Sequence, residues 1–109
     1  MEYNYYPPHP GVITQGYSEE HPAIDIACVP GDYIHAAHEG TLNYEWNGRM
    51  GNVATIRSGI HKTRYAHMEI IAPRGWYDRG DVIGTCGNTG SWSTGPHLHF
   101  ESDQPYTFD

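Results

Sequence analysis

Histidine dominates the chemistry open to this sequence, with eight in 109 residues. Two of them stand one residue apart in "STGPHLHFE", residues 93 to 101. Side chains alternate along a strand, so His97 and His99 point to one face while Leu98 and Phe100 point to the other, into a core. Same-face neighbours sit roughly 6.5 Å apart and a Zn–N bond spans about 2.0–2.1 Å, so the two rings need not share a metal. One can ligate while the other stands beside it. A second segment, "HPAIDIA", puts Asp25 on the face away from the core, because Ile24 and Ile26 alternate with it. His21, four residues earlier, has same-face spacing in a strand or a helix, and Pro22 favours the extended form. An imidazole and a carboxylate from this segment, joined by an imidazole from a distant strand, make a three-ligand N/N/O site with a position left for water. In a third segment, "KTRYAHM", Thr63, Tyr65 and His67 share one face and Arg64, Ala66 and Met68 the other, so His67 is a further polar group for the common surface. Any one of these histidines alone is more often a surface or hydrogen-bonded core residue. Their combination, in this order, carries the signal.

The elements that must position these groups are short. Strands are expected at residues 23–27, 32–37, 41–46, 52–57, 62–68, 81–86 and 97–101, in runs rich in Tyr, Val, Ile and Thr and mostly separated by glycine-containing turns. Nowhere is a helical period sustained for a dozen residues. The expected fold is all-β: one small antiparallel domain, a sheet folded over itself, with little or no helix. At this length there is a single core. It is expected to begin near Val12, giving an extended, irregular Tyr/Pro-rich N-terminal segment at 1–11 and the folded domain at 12–109, since proline fixes φ and cannot donate to a ladder. Cys28 and Cys86 match no C-x-x-C spacing and are expected as two buried small apolar side chains, with a single disulfide as the alternative. Of the remaining histidines, His9 and His61 are expected to be solvated, and His35 and His38 to be structural or on the surface.

The formal charge is −7, and the six Lys and Arg residues are dispersed along the chain, which excludes nucleic acid as a partner. No apolar stretch is long enough to span a bilayer, and the start "MEYNYYPPHPG" has neither a basic n-region nor an apolar h-region. An acidic chain also gains no long-range attraction to anionic polymers.

With these segments in place the chain resembles the lysostaphin-type zinc metallopeptidases, the M23 or LytM-like family. "HPAIDIA", "GNVATIR" with "GIHKTRYAHM", "GDVIGTCGNTG" and "STGPHLHFE" carry the resemblance, which runs from about Val12 to Glu101. It implies that His21, Asp25 and His99 bind one Zn2+ per chain and that His67 and His97 are the non-ligand catalytic histidines. It implies a compact antiparallel β fold and, as substrate, the peptide part of bacterial peptidoglycan, cut by a metal-activated water with histidine acid/base help. Which of His67 and His97 is the base stays open. Tyr17, Tyr65 and Trp92 are the candidate substrate contacts. The turn "NTGSWSTGP" is one residue longer than the usual form, the added bulk being Trp92, and Met68 stands where leucine is usual. Action at the cell wall, as a monomer, with delivery by lysis, a viral particle or a larger parent protein, is the corresponding expectation. Two rivals are a non-catalytic LytM-like wall-binding or hydrolase-activator module, and a two-histidine, one-carboxylate non-haem iron oxygenase. Against the oxygenase, His67 and His97 have no role and the usual close His-x-acid pair is absent.

Overall fold

The computed structural model describes residues 3–18 and 23–109. They form eleven strands and, among the described residues, no helix: β1 Tyr3–Tyr5, β2 Ile13–Gln15, β3 Ile24–Ala27, β4 Tyr33–His35, β5 Gly40–Asn47, β6 Gly51–Ser58, β7 His61–Ile71, β8 Gly75–Tyr77, β9 Val82–Cys86, β10 His97–Ser102 and β11 Tyr106–Phe108. All seven expected strands are present, with β7 longer than expected. The main sheet runs β2-β3-β10-β7-β6-β5-β8, and β9 pairs with β7 while holding β4 at its other edge. Every pair in it is antiparallel. No described helix is long and apolar enough to cross a membrane.

The core lies against one side of the central strands. Ile24 and Ile26 of β3, Leu98 and Phe100 of β10, and Tyr65 and Met68 of β7 close on Ile34, Leu42, Ile56 and Ile83 from the rest of the sheet. Alternation explains the choice on β3 and β10, because the residues between these apolar ones are Asp25, His97 and His99.

The opening segment is more ordered than expected. Tyr3–Tyr5 pairs in parallel with Tyr106–Phe108, tied at one end by Tyr3 N–H to the Pro105 carbonyl (3.0 Å) and at the other by Asp109 N–H to the Tyr5 carbonyl (2.7 Å). Tyr5 is 1% exposed. Its ring stacks on Tyr106 and meets Phe100 edge-on, while its hydroxyl reaches Ser102 Oγ at 2.8 Å and His61 Nε2 at 2.9 Å. Burial pushes its pKa up to about 12.

The expectation that His9 and His61 are solvated is corrected by the same packing. His61 is buried between the rings of Tyr3 and His38 and bonds Asp103 Oδ1 through Nδ1 at 3.1 Å. His9 accepts from Gly11 N–H and donates to Asp32 Oδ2, each at 2.9 Å. His38 ends a buried relay: Ala37 N–H donates to the Tyr65 hydroxyl, that hydroxyl to Thr63 Oγ1, and Thr63 Oγ1 to His38 Nε2, at 3.0, 2.7 and 3.0 Å. His38 Nδ1–H in turn donates to the Glu39 carbonyl at 2.7 Å. This relay uses a neutral imidazole, and burial lowers the His38 pKa from 6.5. Below pH 6.5 the unfolded chain therefore takes up a proton that folded His38 refuses, so stability is full above 6.5 and declines as pH falls toward the folded pKa. In urea titrations across this window, His38→Gln should flatten the decline relative to the parent protein. An unchanged slope would mean that His38 is not its source.

Cys28 and Cys86 are bridged, with their Cα atoms 6.3 Å apart, which replaces the expectation of two separate apolar thiols. The bond ties the residue just after β3 to the end of β9 across 58 positions. Loop closure of that length corresponds to about 4 kcal/mol in the chain-entropy account. A Cys28→Ser/Cys86→Ser variant should lose a comparable amount in urea unfolding.

Candidate active site on the open face of the sheet

Strand β10 is the axis of the site. His99 lies directly opposite Asp25 on β3 and opposite Ala66 on β7, and opposed residues project to the same side. Leu98 and Phe100 fill the core beneath, so packing fixes the direction of His97, His99 and Glu101. Asp25 Oδ1 is 3.2 Å from His99 Nδ1 and 3.7 Å from His97 Nε2. His99 Nε2–H donates to Glu101 Oε2 at 2.8 Å. Burial works against a charge on His99, but the carboxylates of Glu101 and Asp25 outweigh it and its pKa is raised.

A carboxylate at each nitrogen of one imidazole is the pattern of a cation site: one carboxylate orients the ring, and the other shares the remaining nitrogen's cation. Asp25 and His99 thus suit a metal by donor chemistry. His21, the third expected ligand, lies outside the described residues. Among the described residues no group of three His, Cys, Asp or Glu side chains converges as a metal cluster.

His67 reaches this face through a defect in the ladder. Asn52 pairs with Met68 and Ala54 with Tyr65, so the single residue Val53 faces both Ala66 and His67. This two-against-one bulge puts His67 at φ 61°, the only described non-glycine residue with positive φ. That conformation costs about 1–2 kcal/mol for a residue with a Cβ. The bulge interrupts the alternation expected over 62–68. Tyr65 and Met68 join the core, Ala66 turns to the open side beside Met50 and Val53, and the His67 ring sits 4.6 Å from that of His97 and 5.9 Å from that of His99. Tyr65 therefore does not share a face with His67. It is fully buried, and its hydroxyl is engaged by Ala37 and Thr63.

The loop between β9 and β10 completes the site. His67 Nδ1–H donates to the Thr89 carbonyl at 2.6 Å, and His97 Nδ1–H to the Gly95 carbonyl at 2.7 Å. Both rings are held in the tautomer whose Nε2 carries the lone pair. Burial lowers the His67 pKa, and the nearby His97 and His99 reinforce the effect. Thr89 is itself fixed: its Oγ1 accepts from Asn52 N–H at 3.1 Å and donates to the Met68 carbonyl at 2.8 Å. The loop presses onto the β5–β6 turn so closely that Gly51 (φ 71°) and Gly90 (φ 92°) leave no room for a Cβ. Trp92, 59% exposed, stands at the loop's outer side under the Arg49 guanidinium. Tyr17 is exposed and lines an apolar groove of about 620 Å³ with Ile24, Phe100 and Tyr106, residues from the core side of their strands.

Sequence reasoning did not single out Glu101 or Thr89. Glu101 had a signal, its i+2 spacing from His99; Thr89 had none, because its role depends on a bulge at His67, 22 positions away in sequence. Thr89→Val keeps the shape but strips Asn52 N–H of its acceptor, at a cost of about 1–3 kcal/mol. The urea midpoint should fall, and the imidazole 15N resonances of His67 should move toward tautomer averaging while those of His97 hold. Unmoved His67 resonances would show that Thr89 does not position that ring.

The model of peptidase family M23 matches residues 19–106. Over 86 residues the chain is 38% identical to the DD-carboxypeptidase/endopeptidase Mpg of Neisseria meningitidis, an alignment covering 75% of this chain and 20% of Mpg. The chain thus spans about a fifth of the length of the curated relatives it matches. Among solved structures, a zinc-containing peptidase from Vibrio cholerae superposes with TM-score 0.82 at 29% identity, covering 94% of this chain and 36% of that one. The catalytic domain of the antimicrobial peptidase lysostaphin from Staphylococcus simulans superposes with TM-score 0.67 at 29% identity, covering 92% and 76%.

Proposed function

Since the chain belongs to peptidase family M23, we propose that it is a zinc endopeptidase that cuts peptide bonds in bacterial peptidoglycan, with His21, Asp25 and His99 holding the metal. The observation that carries this reading is the pairing of His67 and His97, each donating Nδ1–H to a loop carbonyl, with His97 Nε2 3.7 Å from Asp25 Oδ1 and the His67 ring 5.9 Å from that of His99. Zinc bound there supplies Lewis acidity to a water and to the scissile carbonyl. Everything else falls to side chains of the chain. A neutral imidazole with a bare Nε2 accepts the proton of the attacking water, and the second imidazole supports the developing oxyanion or passes the proton to the leaving amine. Burial keeps His67 neutral at physiological pH, the state a base requires. Glu101 orients His99 by holding its Nε2–H.

The iron oxygenase reading leaves both of these oriented histidines without work. The Cys28–Cys86 bridge favours an oxidising compartment, as expected of an enzyme acting at the cell wall after delivery by lysis, a viral particle or a larger parent protein. Purified peptidoglycans of several wall types, digested with zinc-loaded protein and analysed by mass spectrometry, should yield new peptide termini that a His99→Ala control does not produce. Intact polymer in every digest, from protein shown to carry one zinc, would instead favour a wall-binding or activator module.

A further inference from the structure

The face that carries His97, His99 and Glu101 continues across β7, β6 and β5. Glu101 opposes Arg64 and Arg64 opposes Thr55, while two residues further along Lys62 opposes Arg57 and Arg57 opposes Thr41. Directly opposed side chains share a side, so Arg64, Lys62 and Arg57 lie on the same surface as His99. With Thr41, Asn43 and Glu45 they line a shallow pocket of about 230 Å³. Three of the six Lys and Arg residues of a chain with charge −7 therefore meet in one place.

The other three are committed elsewhere. Arg49 covers Trp92, Arg74 lies 3.8 Å over the Tyr44 ring and donates to the Tyr44 carbonyl, and Arg79 pairs with Asp109 at 3.2 Å. Within the pocket, Arg64 is shared between Glu45 and Glu101, at 3.8 Å from each. Asp103, the remaining nearby acid, is engaged by Lys62 N–H and His61. That leaves Arg57 and Lys62, whose side chains have no ion pair among the described residues, facing each other across β6 and β7. Like charges placed directly opposite one another destabilise a sheet. A like-charged pair kept without a counter-ion, on the same face of the sheet as His99, is suited to an anion supplied from outside.

We infer that Arg57 and Lys62 form a carboxylate-binding subsite for the peptide substrate. This rests on the peptidoglycan reading and narrows it to peptides bearing an acidic side chain or a terminal carboxylate, as opposed to neutral glycine bridges. Lys62 lies four positions along β7 from Ala66, the neighbour of His99, a separation of roughly 13 Å. That is about four residues of extended peptide. Arg64, held by the two glutamates, forms the wall between subsite and metal centre.

The test compares a peptidoglycan peptide carrying a free carboxylate with its amidated analogue. Wild-type protein should prefer the acidic peptide by about tenfold or more in kcat/KM, the scale of hydrogen bonds to a charged group. In an Arg57→Gln/Lys62→Gln variant, folded by circular dichroism, that preference should collapse toward one through a higher KM for the acidic peptide. Equal rates on both peptides in the wild type, or a preference surviving in the variant, would overturn the subsite. If the wild type cuts neither peptide, the peptidase reading fails separately, and amide chemical shifts then decide the subsite. Acidic peptide should move the Arg57 and Lys62 resonances and the amidated one should not; identical responses would end the proposal.

Discussion

One extra residue in β7 determines whether this face of the sheet has two histidines or three. Without the bulge, strict alternation would send His67 to the Tyr65 side, into the core, where an imidazole would displace apolar packing. With it, the ring swings beside His97 at the cost of a left-handed backbone at a residue with a Cβ. The structure offsets that cost locally. His67 N–H bonds the Met50 carbonyl at 2.8 Å, its ring bonds Thr89, and Thr89 is locked to Asn52 and Met68, the pair that closes one flank of the bulge. Gly51 and Gly90 allow the loop to come close enough for this to happen. The defect and the loop support each other, and neither has its function alone.

The chain uses histidine in two opposite ways. His38 and His61 sit in a closed, fully paired network that welds β1 to β7 and the turn after β10, with rings stacked among tyrosines. His67 and His97 each have Nδ1 pinned by a loop carbonyl, and their rings gather beside His99 and Asp25. The difference is in the surroundings: hydroxyls and a carboxylate that complete a structural circuit for His38 and His61, or the other imidazoles and Asp25 on the open side of the sheet for His67 and His97.

The parts of this arrangement that were legible in sequence are those written with short periods. The faces of β3 and β10 follow from Ile-Asp-Ile and His-Leu-His-Phe alone, because period-two alternation with large apolar residues has one packing solution. His67 does reach the expected common surface, but Thr63 and Tyr65 do not share its face, because a bulge is a register event between two strands and nothing local in "KTRYAHM" reveals that Val53 must oppose two residues. Tyr65 was carried to the wrong side by the same error. The cysteines were unreadable for a related reason, since their partnership is fixed by the fold bringing the residue after β3 to the end of β9 across 58 positions. The strand at Tyr3–Tyr5 was hidden by its prolines, which lie just after it, and by a partner at the far end of the chain. The cationic pair shows the same limit: Arg57 and Lys62 are near in sequence, but their opposition across a turn exists only in the ladder.

The parallel pairing of β1 with β11 has a mechanical meaning. The chain enters the fold along one strand and leaves along its neighbour, running in the same direction, so tension applied between the two flanks slides these strands past each other. In that geometry the bridging hydrogen bonds and the Tyr5 ring, keyed between Phe100 and Tyr106, bear load together and do not peel apart one at a time. A pull along the polypeptide meets this clamp before it reaches β10, and the histidine face lies behind it.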